Sequence, residues 1–487
     1  MLFNSFDFLI FFPLVTILYF LLPFKFRWFL LLSASCFFYM YFVPVYILIL
    51  FFTIVIDYIA GIYLENTLDK RRKKFYLLCS LVANIGVLAI FKYYNFFLDN
   101  LNAASFSIAG HYLPFHYLTI LLPIGLSFHT FQAMSYTFEV YYGRQKAERH
   151  FGIYALYVMF YPQLVAGPIE RPQNVLPQLH VKYTFEYARV RDGLIMMLWG
   201  LFKKVVIADN LSVYVNAAYN NTDQASGNSL LIASYFFAFQ IYCDFSGYSD
   251  IAVGAAKVMG INLMENFRTP YLSQSIREFW SRWHISLSSW FRDYLYIPLG
   301  GNRVSKQRWM FNLFLVFMIS GIWHGANWTY VIWGSLHGLY LIVGIVKDDI
   351  LSSRKKNAAG VTSWVVKSLN VLITFHLALF AWIFFRANTV EEAFTVVNKI
   401  FHLDWSVAAF SKSLIFLVSN PNYVGRIVFH LALLLVFIIA DPILDRIIKN
   451  RLPIHSTTLK MFLYAAILAA IILFGYFGEV QFIYFQF

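Results

Sequence analysis

Long apolar runs recur along the whole chain and are separated by short polar segments. The first five are residues 8–24, 28–43, 45–64, 75–98 and 113–142, and several more follow Gly193. A helix needs about 20 apolar residues to cross about 30 Å of hydrocarbon. The runs lack the polar-apolar alternation of a membrane barrel strand. The pattern therefore predicts an all-α, polytopic membrane protein with about 11 to 12 transmembrane helices.

The composition agrees with this pattern. The 487 residues are 60% hydrophobic, 20% aromatic and only 13% charged, and the mean hydropathy is +0.62, far from a soluble globular protein. The sequence contains no internal repeat, low-complexity tract or segment long enough for a soluble domain. It predicts a single integral domain over residues 1–487, with a retained first helix.

The net charge of +13 reflects topology rather than nucleic-acid binding. Lysine and arginine cluster in short loops that alternate with loops nearly free of them, as the positive-inside rule requires. The rich loops contain Lys25 and Arg27, then residues 70–74, 144–149, 354–356 and 446–451. If they are cytoplasmic, the N-terminus is extracytoplasmic.

Two regions interrupt the apolar runs. Residues 160–179 contain four prolines and the pair Gly167-Pro168, which leaves open a re-entrant segment lining a cavity or an ordinary loop. The composition of residues 242–303 predicts a segment too charged to span lipid and too aromatic for a solvated loop. Within them, N-capping of a following helix is a sufficient explanation for Asp244 and Asp250.

An interfacial helix is predicted in the second region. Ser275 is a candidate N-cap with Glu278 in the capping-box position, and Glu278 with Arg282 forms an i,i+4 pair. Trp283 and Trp290 are seven residues apart, so one helical face would carry both as aromatic anchors.

His324 is the sharpest candidate for chemistry. It lies in residues 310–346, which contain no Lys, Arg, Asp or Glu, and an ionisable group at membrane depth is a functional hypothesis by default. Gly321 and Gly325 flank it and would let a ligand or another backbone approach closely. The side chain of Asn327 adds a polar amide nearby. Spacing alone leaves a catalytic base and a buried structural histidine equally open.

Two further histidines, His284 and His337, could have a functional or a structural role. His284, in RWHISLS, is as readily a surface-helix histidine among tryptophans as a functional one. His337 would lie about 20 Å from His324 on one straight helix, so it is assigned a structural role unless the helix breaks between them.

Several catalytic motifs are absent from the sequence. It has no HExxH, no paired cysteines, no GxxxxGK[ST] and no GxSxG, which excludes a zinc protease, a P-loop ATPase and an α/β-hydrolase and offers no metal site. A buried base without a neighbouring nucleophile suits activation of a hydroxyl that the substrate brings.

Four segments together resemble the membrane-bound O-acyltransferase (MBOAT) family, and within it the bacterial alginate O-acetylation branch. They are QLVAGPIERP at 163–172, YCDFSGYSDIAVG at 242–254, residues 270–303 and SGIWHGANWTYVIWGSLHG at 320–338. The resemblance implies a ring of helices around a central tunnel, with a catalytic core at about residues 120–345. It also implies transfer of an acyl group, expected to be acetyl, from a cytoplasmic thioester to hydroxyls of an exported polysaccharide or cell-wall glycan.

The resemblance also implies roles for individual residues. His324 corresponds to the family's catalytic histidine and would act as general base, and His284 to a second recurrent histidine. The amide of Asn327 or the indole of Trp323 would stabilise the oxyanion.

On the donor side, Arg282 and Arg292 would pair with phosphates of a pantetheine-bearing thioester, either acetyl-CoA or an acyl carrier protein, with no bound cofactor. The expected partners are the lipid bilayer, the glycan acceptor and an extracytoplasmic protein with a lipase-like fold, in the bacterial inner membrane. Two alternatives remain open from the sequence: a transporter or flippase of polysaccharide precursors, and a scaffold that only relays acyl groups.

Overall fold

The computed structural model describes residues 1–119, 123–165, 167–354, 364–418, 422, 424–454, 456–478 and 482–483. These residues form helices and connecting segments, and no strand occurs among them. The prediction of an all-α protein is confirmed. Lys355 and Lys356, placed in a cytoplasmic loop from the sequence, lie outside the described residues.

The chain divides into two compact units, Met1–Met197 with Ile251–Met264, and Leu198–Asp250 with Glu265–Phe487. A single integral domain stays a prediction. Helices lying wholly or largely in the first unit are α1 Phe6–Leu21, α2 Phe24–Met40, α3 Ile47–Asn66, α4 Lys70–Leu88, α5 Tyr94–Ala109, α6 Leu126–Tyr141, α7 Phe151–Met159, α8 Tyr161–Leu164, α9 Pro172–Leu179 and α10 Tyr187–Leu201.

The second unit contains the longest helix of the described chain, α12, which continues into the first unit. Its helices are α11 Asp209–Tyr219, α12 Gly227–Val258, α13 Ile276–Arg282, α14 Ile285–Phe291, α15 Lys306–His324, α16 Trp328–Arg354, α17 Trp364–Arg386, α18 Val390–Phe401, α19 Val407–Val418, α20 Val424–Ile448 and α21 Thr457–Phe474.

Seven helical stretches of the described chain are long and apolar enough to cross a membrane, and the protein is a multi-pass membrane protein. The stretches are Pro44–Asn66, Lys70–Ala109, Gly227–Val258, Trp328–Ile350, Trp364–Arg386, Val424–Ile448 and Thr457–Phe474. Two shorter apolar helices are Phe6–Leu21 and Val407–Val418. A count of 11 to 12 spans stays a prediction.

The fifth apolar run differs from its prediction. Residues 113–119 are not helical, and residues 120–122 lie outside the described chain. Helix α6 begins only at Leu126, after Gly125 in the left-handed region at φ 75°. A side chain at Gly125 would also meet the backbone of Leu164 and Val165, so the run is interrupted where backbone packing requires a glycine.

The proline-rich segment is buried rather than an exposed loop. It contains the short helices α8 and α9, and Tyr161 and Glu170 are fully buried. A Cβ at Gly167 would lie 2.3 Å from the Cα of Gln163. The prolines therefore shape a packed, irregular segment, as a re-entrant arrangement requires, and its lining of a cavity stays a prediction.

Charged residues in α12 are buried in ion pairs, and the N-capping interpretation of Asp244 and Asp250 was wrong. Residues 242–258 of the region expected to be too charged for a span belong to α12, which is long and apolar enough to cross a membrane, so that expectation was wrong for this part. The two carboxylates lie inside the helix. Lys204 Nζ lies 2.8 Å from Asp244 and 2.7 Å from Asp209, and Lys203 pairs with Asp250. Pairing offsets the large cost of burying each charge.

The ion pairs continue into the C-terminal half of the same unit. Lys449 Nζ lies 2.7 Å from Asp445, 2.9 Å from Glu265 and 3.4 Å from Asp250. Arg451 also contacts Glu265, at 2.6 Å. Glu265 thus fixes the start of the segment that leads to His284.

Candidate active site

His284 breaks the predicted interfacial helix into two. The N-cap of Ser275 and the Glu278–Arg282 pair are confirmed. However, α13 ends at Arg282 and α14 begins at Ile285, because His284 adopts the left-handed conformation at φ 43° and ψ 56°. The single helix was therefore a wrong prediction. Trp283 and Trp290 are both buried inside the protein rather than exposed as interfacial anchors.

The imidazole of His284 is fully buried and held in one orientation. Its Nδ1 accepts a hydrogen bond from the Leu287 N–H at 3.4 Å, so in the neutral ring the proton is on Nε2. The ring packs edge-on against Phe245 with 4.6 Å between centroids. Burial lowers the pKa of His284 from 6.5 to about 3, and the neutral form prevails at physiological pH.

Asn266 holds the strained backbone of His284, a contact that sequence reasoning missed. Its carbonyl accepts from the Ile285 N–H at 3.0 Å, and its side-chain oxygen accepts from the Ser286 N–H at 3.3 Å. Asn266 is only 1% exposed. A non-glycine residue in the left-handed region persists only where its surroundings enforce it, and Asn266 supplies that enforcement from 20 residues away.

His324 is the last residue of α15 and is 4% exposed. Aromatic rings surround it: the centroids of Trp323 and Trp333 both lie 4.9 Å from its own, and that of Phe385 lies 5.5 Å away. An imidazole walled by aromatic rings is shielded from water.

Glycines allow α15 and α16 to approach closely and so place His324. A Cβ at Gly321 would lie 2.2 Å from the carbonyl oxygen of Tyr330, and one at Gly334 would lie 2.3 Å from that of Phe317. At Gly325 it would enter the Tyr330 ring. Small residues at these positions let two helix backbones pack in contact.

The two candidate catalytic histidines share one neighbour. The ring of Trp323 lies 4.9 Å from that of His324 and 6.4 Å from that of His284, between centroids. The sequence separates them by 40 positions, but the fold brings both next to one indole. Both belong to the same aromatic site.

His337 keeps its expected structural role only as a prediction. It is fully buried, and its Nδ1 accepts a hydrogen bond from the indole of Trp280 at 3.2 Å. The chain does break after His324, and Trp333 contacts both rings, at 4.9 Å from His324 and 5.1 Å from His337.

Asn327 is engaged elsewhere in this structure. Its amide donates to the carbonyl of Asn388 at 2.8 Å, and its side-chain oxygen accepts from the Thr329 N–H at 3.0 Å near the start of α16. A role as oxyanion donor stays a prediction that would require the first bond to open. The indole N–H of Trp333, buried beside His324, has no hydrogen-bond partner within the described chain.

A cavity of about 520 Å³ lies in the same unit. Arg292 lines it and pairs with Asp293, and its expected role in donor binding stays a prediction. Arg277, which the sequence analysis did not single out, also lines it. Arg282 is not among its described lining residues and pairs with Glu278. Ser320, one helical turn before His324, and Leu287, which binds His284, also line it.

The buried state of His284 predicts a pH dependence of stability. The unfolded chain takes up the proton below pH 6.5 and the folded chain only near pH 3, so stability falls as the pH drops from 6.5 toward 3. His284→Asn, which tolerates the left-handed backbone, should lose about 2 kcal/mol less between pH 7 and 4.5. Thermal unfolding at both pH values tests this, and equal losses in both proteins would contradict it.

Comparison with known proteins gives a consistent result. The model of the "MBOAT, membrane-bound O-acyltransferase family" matches residues 150–387. A "Probable alginate O-acetylase" of Azotobacter vinelandii is 38% identical over 417 residues, covering 85% of this chain and 81% of the relative. A "Peptidoglycan O-acetyltransferase" of Helicobacter pylori is 36% identical over 77% of this chain and 73% of the relative. A "Teichoic acid D-alanyltransferase" of Bacillus subtilis is 30% identical over 57% and 71%.

Proposed function

The chain belongs to the membrane-bound O-acyltransferase family, and from this premise we propose that it transfers acetyl groups from a cytoplasmic thioester to hydroxyls of an exported glycan, with His324 as general base. It is an enzyme, an O-acyltransferase, so the transporter alternative is set aside. The observation that carries the proposal is the buried imidazole of His324 inside an aromatic wall.

In the proposed reaction His324 takes the proton from the acceptor hydroxyl as its oxygen attacks the thioester carbonyl. The tetrahedral intermediate then collapses, the carbon-sulfur bond breaks, and the imidazolium returns the proton to the leaving thiolate. The products are an O-acyl ester and a free thiol. A buried neutral base gains from the absence of competing water.

Trp333 is the proposed oxyanion donor. Its indole N–H is buried beside His324 without a partner in the described chain, and a donor aimed where charge develops lowers the barrier most in a dry site. Trp323 and Asn327 stay as the donors expected from the sequence. His284 is the proposed second functional histidine, orienting the donor end of the site through its Nε2–H.

The acyl donor is proposed to occupy the 520 Å³ cavity. Its volume is in the range of small-molecule sites, and its guanidinium groups, Arg277 and Arg292, suit the phosphates of a pantetheine-bearing donor. Ser320 and Leu287 place its lining next to both histidines. A pantetheine arm along the aromatic lining would present the thioester to His324.

This donor assignment predicts a selective change in KM. Arg277→Gln combined with Arg292→Gln should raise the KM for acetyl-CoA about tenfold with kcat changed by less than about twofold, because uniform binding is lost. Arg303→Gln, an exposed arginine outside the described lining, is the matched control. An unchanged KM in the double variant, or an equal rise in the control, would place the donor elsewhere.

The proposed acceptor is supported by the relatives' names, the proposed orientation by the charge pattern, and the proposed partner by the resemblance to the family. The relatives' names point to alginate, peptidoglycan or teichoic acid, and we propose an exported glycan of this kind. The basic loops favour a bacterial inner-membrane protein with an extracytoplasmic N-terminus. A ring of helices around a tunnel would join the two faces, and an extracytoplasmic partner with a lipase-like fold would work with the chain at the outer face.

Sealed vesicles of defined orientation test this arrangement. Labelled acetyl-CoA added to inside-out vesicles, which expose the cytoplasmic face, should label glycan enclosed within them. The same donor added to right-side-out vesicles should give background label. Equal labelling in both orientations would contradict transfer across the membrane.

A further inference from the structure

A second cavity, outside the active site, lies in the first unit. Its volume is about 220 Å³, several times the roughly 30 Å³ of a water molecule. The side chains of Lys25 and Arg27 line it together with His150 and His180. Its described lining contains no Asp or Glu, so positive charge dominates it.

Arg27 is the unusual member of this cavity. It is only 7% exposed, yet no carboxylate pairs with it among the described residues. Its guanidinium instead donates to the carbonyls of Leu22 at 3.2 Å, Tyr183 at 2.5 Å and Phe20 at 3.5 Å. It also lies 4.7 Å from the ring of Tyr19. A guanidinium has five N–H donors, and a buried cation without a counterion is costly.

The carboxylate of Glu148 does not supply this counterion. Its two oxygens accept from His180 Nε2 and from the His150 N–H, each at 2.8 Å. The Lys25 side chain is exposed, and its ammonium lies 5.0 Å from the Phe26 ring. Lys25 and Arg27 therefore present two positive charges to the cavity.

The remaining wall is apolar and suits a hydrocarbon stem rather than a bare ion. It includes Phe24, Trp28, Leu31, Ile153, Leu156 and Leu179. Arg27 and Lys25 belong to α2, just after the turn that ends the apolar helix α1, where a lipid headgroup meets a membrane protein. A ligand with one anionic group and an apolar stem complements both parts of the lining.

We propose that this cavity binds the phosphate of an anionic phospholipid, with Arg27 and Lys25 on the phosphate and the apolar wall on the glycerol and first acyl carbons. Guanidinium groups bind phosphate through paired, charge-assisted hydrogen bonds. An anionic lipid carries a net negative charge that complements the two uncompensated cations, whereas a zwitterionic lipid carries no net charge. The bound lipid ties α2 to α7 and the segment after α9 within the first unit.

Lipid titration of the purified full-length protein in neutral detergent tests the site. Thermal unfolding is followed with dioctanoyl phosphatidylglycerol, dioctanoyl phosphatidylcholine or sodium phosphate. Phosphatidylglycerol should raise the Tm at concentrations at least about fivefold lower than phosphatidylcholine. The Lys25 side chain is exposed, so folding should not depend on it. Lys25→Gln should raise the phosphatidylglycerol concentration needed for the same rise in Tm about fivefold, and Arg27→Gln should raise it at least as much.

Arg71→Gln is the matched control, because Arg71 is exposed in the basic run of α4 and lies outside the described lining. It should leave the response unchanged. Equal responses to both lipids, or the same response in Lys25→Gln as in Arg71→Gln, would overturn the proposal. A full response to sodium phosphate that Lys25→Gln removes would retain the phosphate site and overturn lipid as its source.

Discussion

Replacing His324 with Gln is expected to lower the turnover of acyl transfer by about 10³-fold, within the range supplied by general-base catalysis. The amide of Gln cannot take a proton from the acceptor hydroxyl at neutral pH. Because the cavity proposed for the donor is lined by other residues, binding of acetyl-CoA should be unchanged within about twofold. The measurement is acetyl transfer by purified protein in liposomes, with donor binding measured separately.

His402→Gln is the matched control for this substitution. His402 is exposed at the end of α18, so its loss should leave turnover and folding intact. A His324→Gln protein that folds, binds donor and transfers acetyl at the wild-type rate would remove His324 from the reaction.

Replacing Lys204 with Met is expected to lower the free energy of unfolding by about 3 to 5 kcal/mol, the usual cost of breaking a buried ion pair. The substitution strands Asp209 and Asp244, both of which lie in the interior. Asp244 also accepts from the backbone N–H of Ile483 at 2.8 Å. Its neighbour Phe245 packs on His284, so the damage should reach the active site.

Thermal unfolding and the monodisperse yield of the purified protein measure this effect. Lys412→Met, at an exposed position of α19, should behave as the wild type. Adding Asp209→Asn to Lys204→Met should recover part of the loss, because one stranded charge is removed. If Lys204→Met is as stable as Lys412→Met, the buried network does not support the fold.

The helical fold and the choice of His324 as the candidate base followed from the sequence, because both depend on local sequence patterns. Apolar runs of membrane length predict helices directly, and a lone histidine in an uncharged stretch is conspicuous. Its neighbours Gly321 and Gly325 suggested that another part of the chain approaches closely, and α16 does pack closely against α15 at these glycines.

The conformation of His284 did not follow from sequence. Nothing in RWHISLS indicates a left-handed residue, and the helical pattern runs through it without interruption. The break depends on Asn266, which binds the following backbone amides from a distant segment. A contact of this kind overrides local helix propensity.

The roles of Asp244 and Asp250 were missed for a related reason. A carboxylate before an apolar stretch is most simply an N-cap, but these two lie within a helix and pair with lysines more than 30 residues earlier. The adjacent Lys203 and Lys204 inside an apolar stretch, LFKKVVIADN, were the available signal. Two buried cations require buried anions.

The arginines proposed to bind the acyl donor also depend on contacts that the sequence does not show. Sequence proximity to His284 suggested Arg282 and Arg292, but Arg282 pairs with Glu278 on its own helix. Arg277 lines the cavity with Arg292. Which charged side chain lines a cavity depends on where the helix breaks, and that break was not visible in the sequence.

The most direct test of His324 as the acyl-transfer base is the O-acyl ester content of surface glycans. Cells carrying the intact chain, the His324→Gln variant or no chain are compared, with membrane levels of both proteins quantified. The account predicts that the variant accumulates normally and that its ester content falls to the level of cells lacking the chain. Wild-type ester content at equal protein level would contradict it and leave His324 as a packing residue.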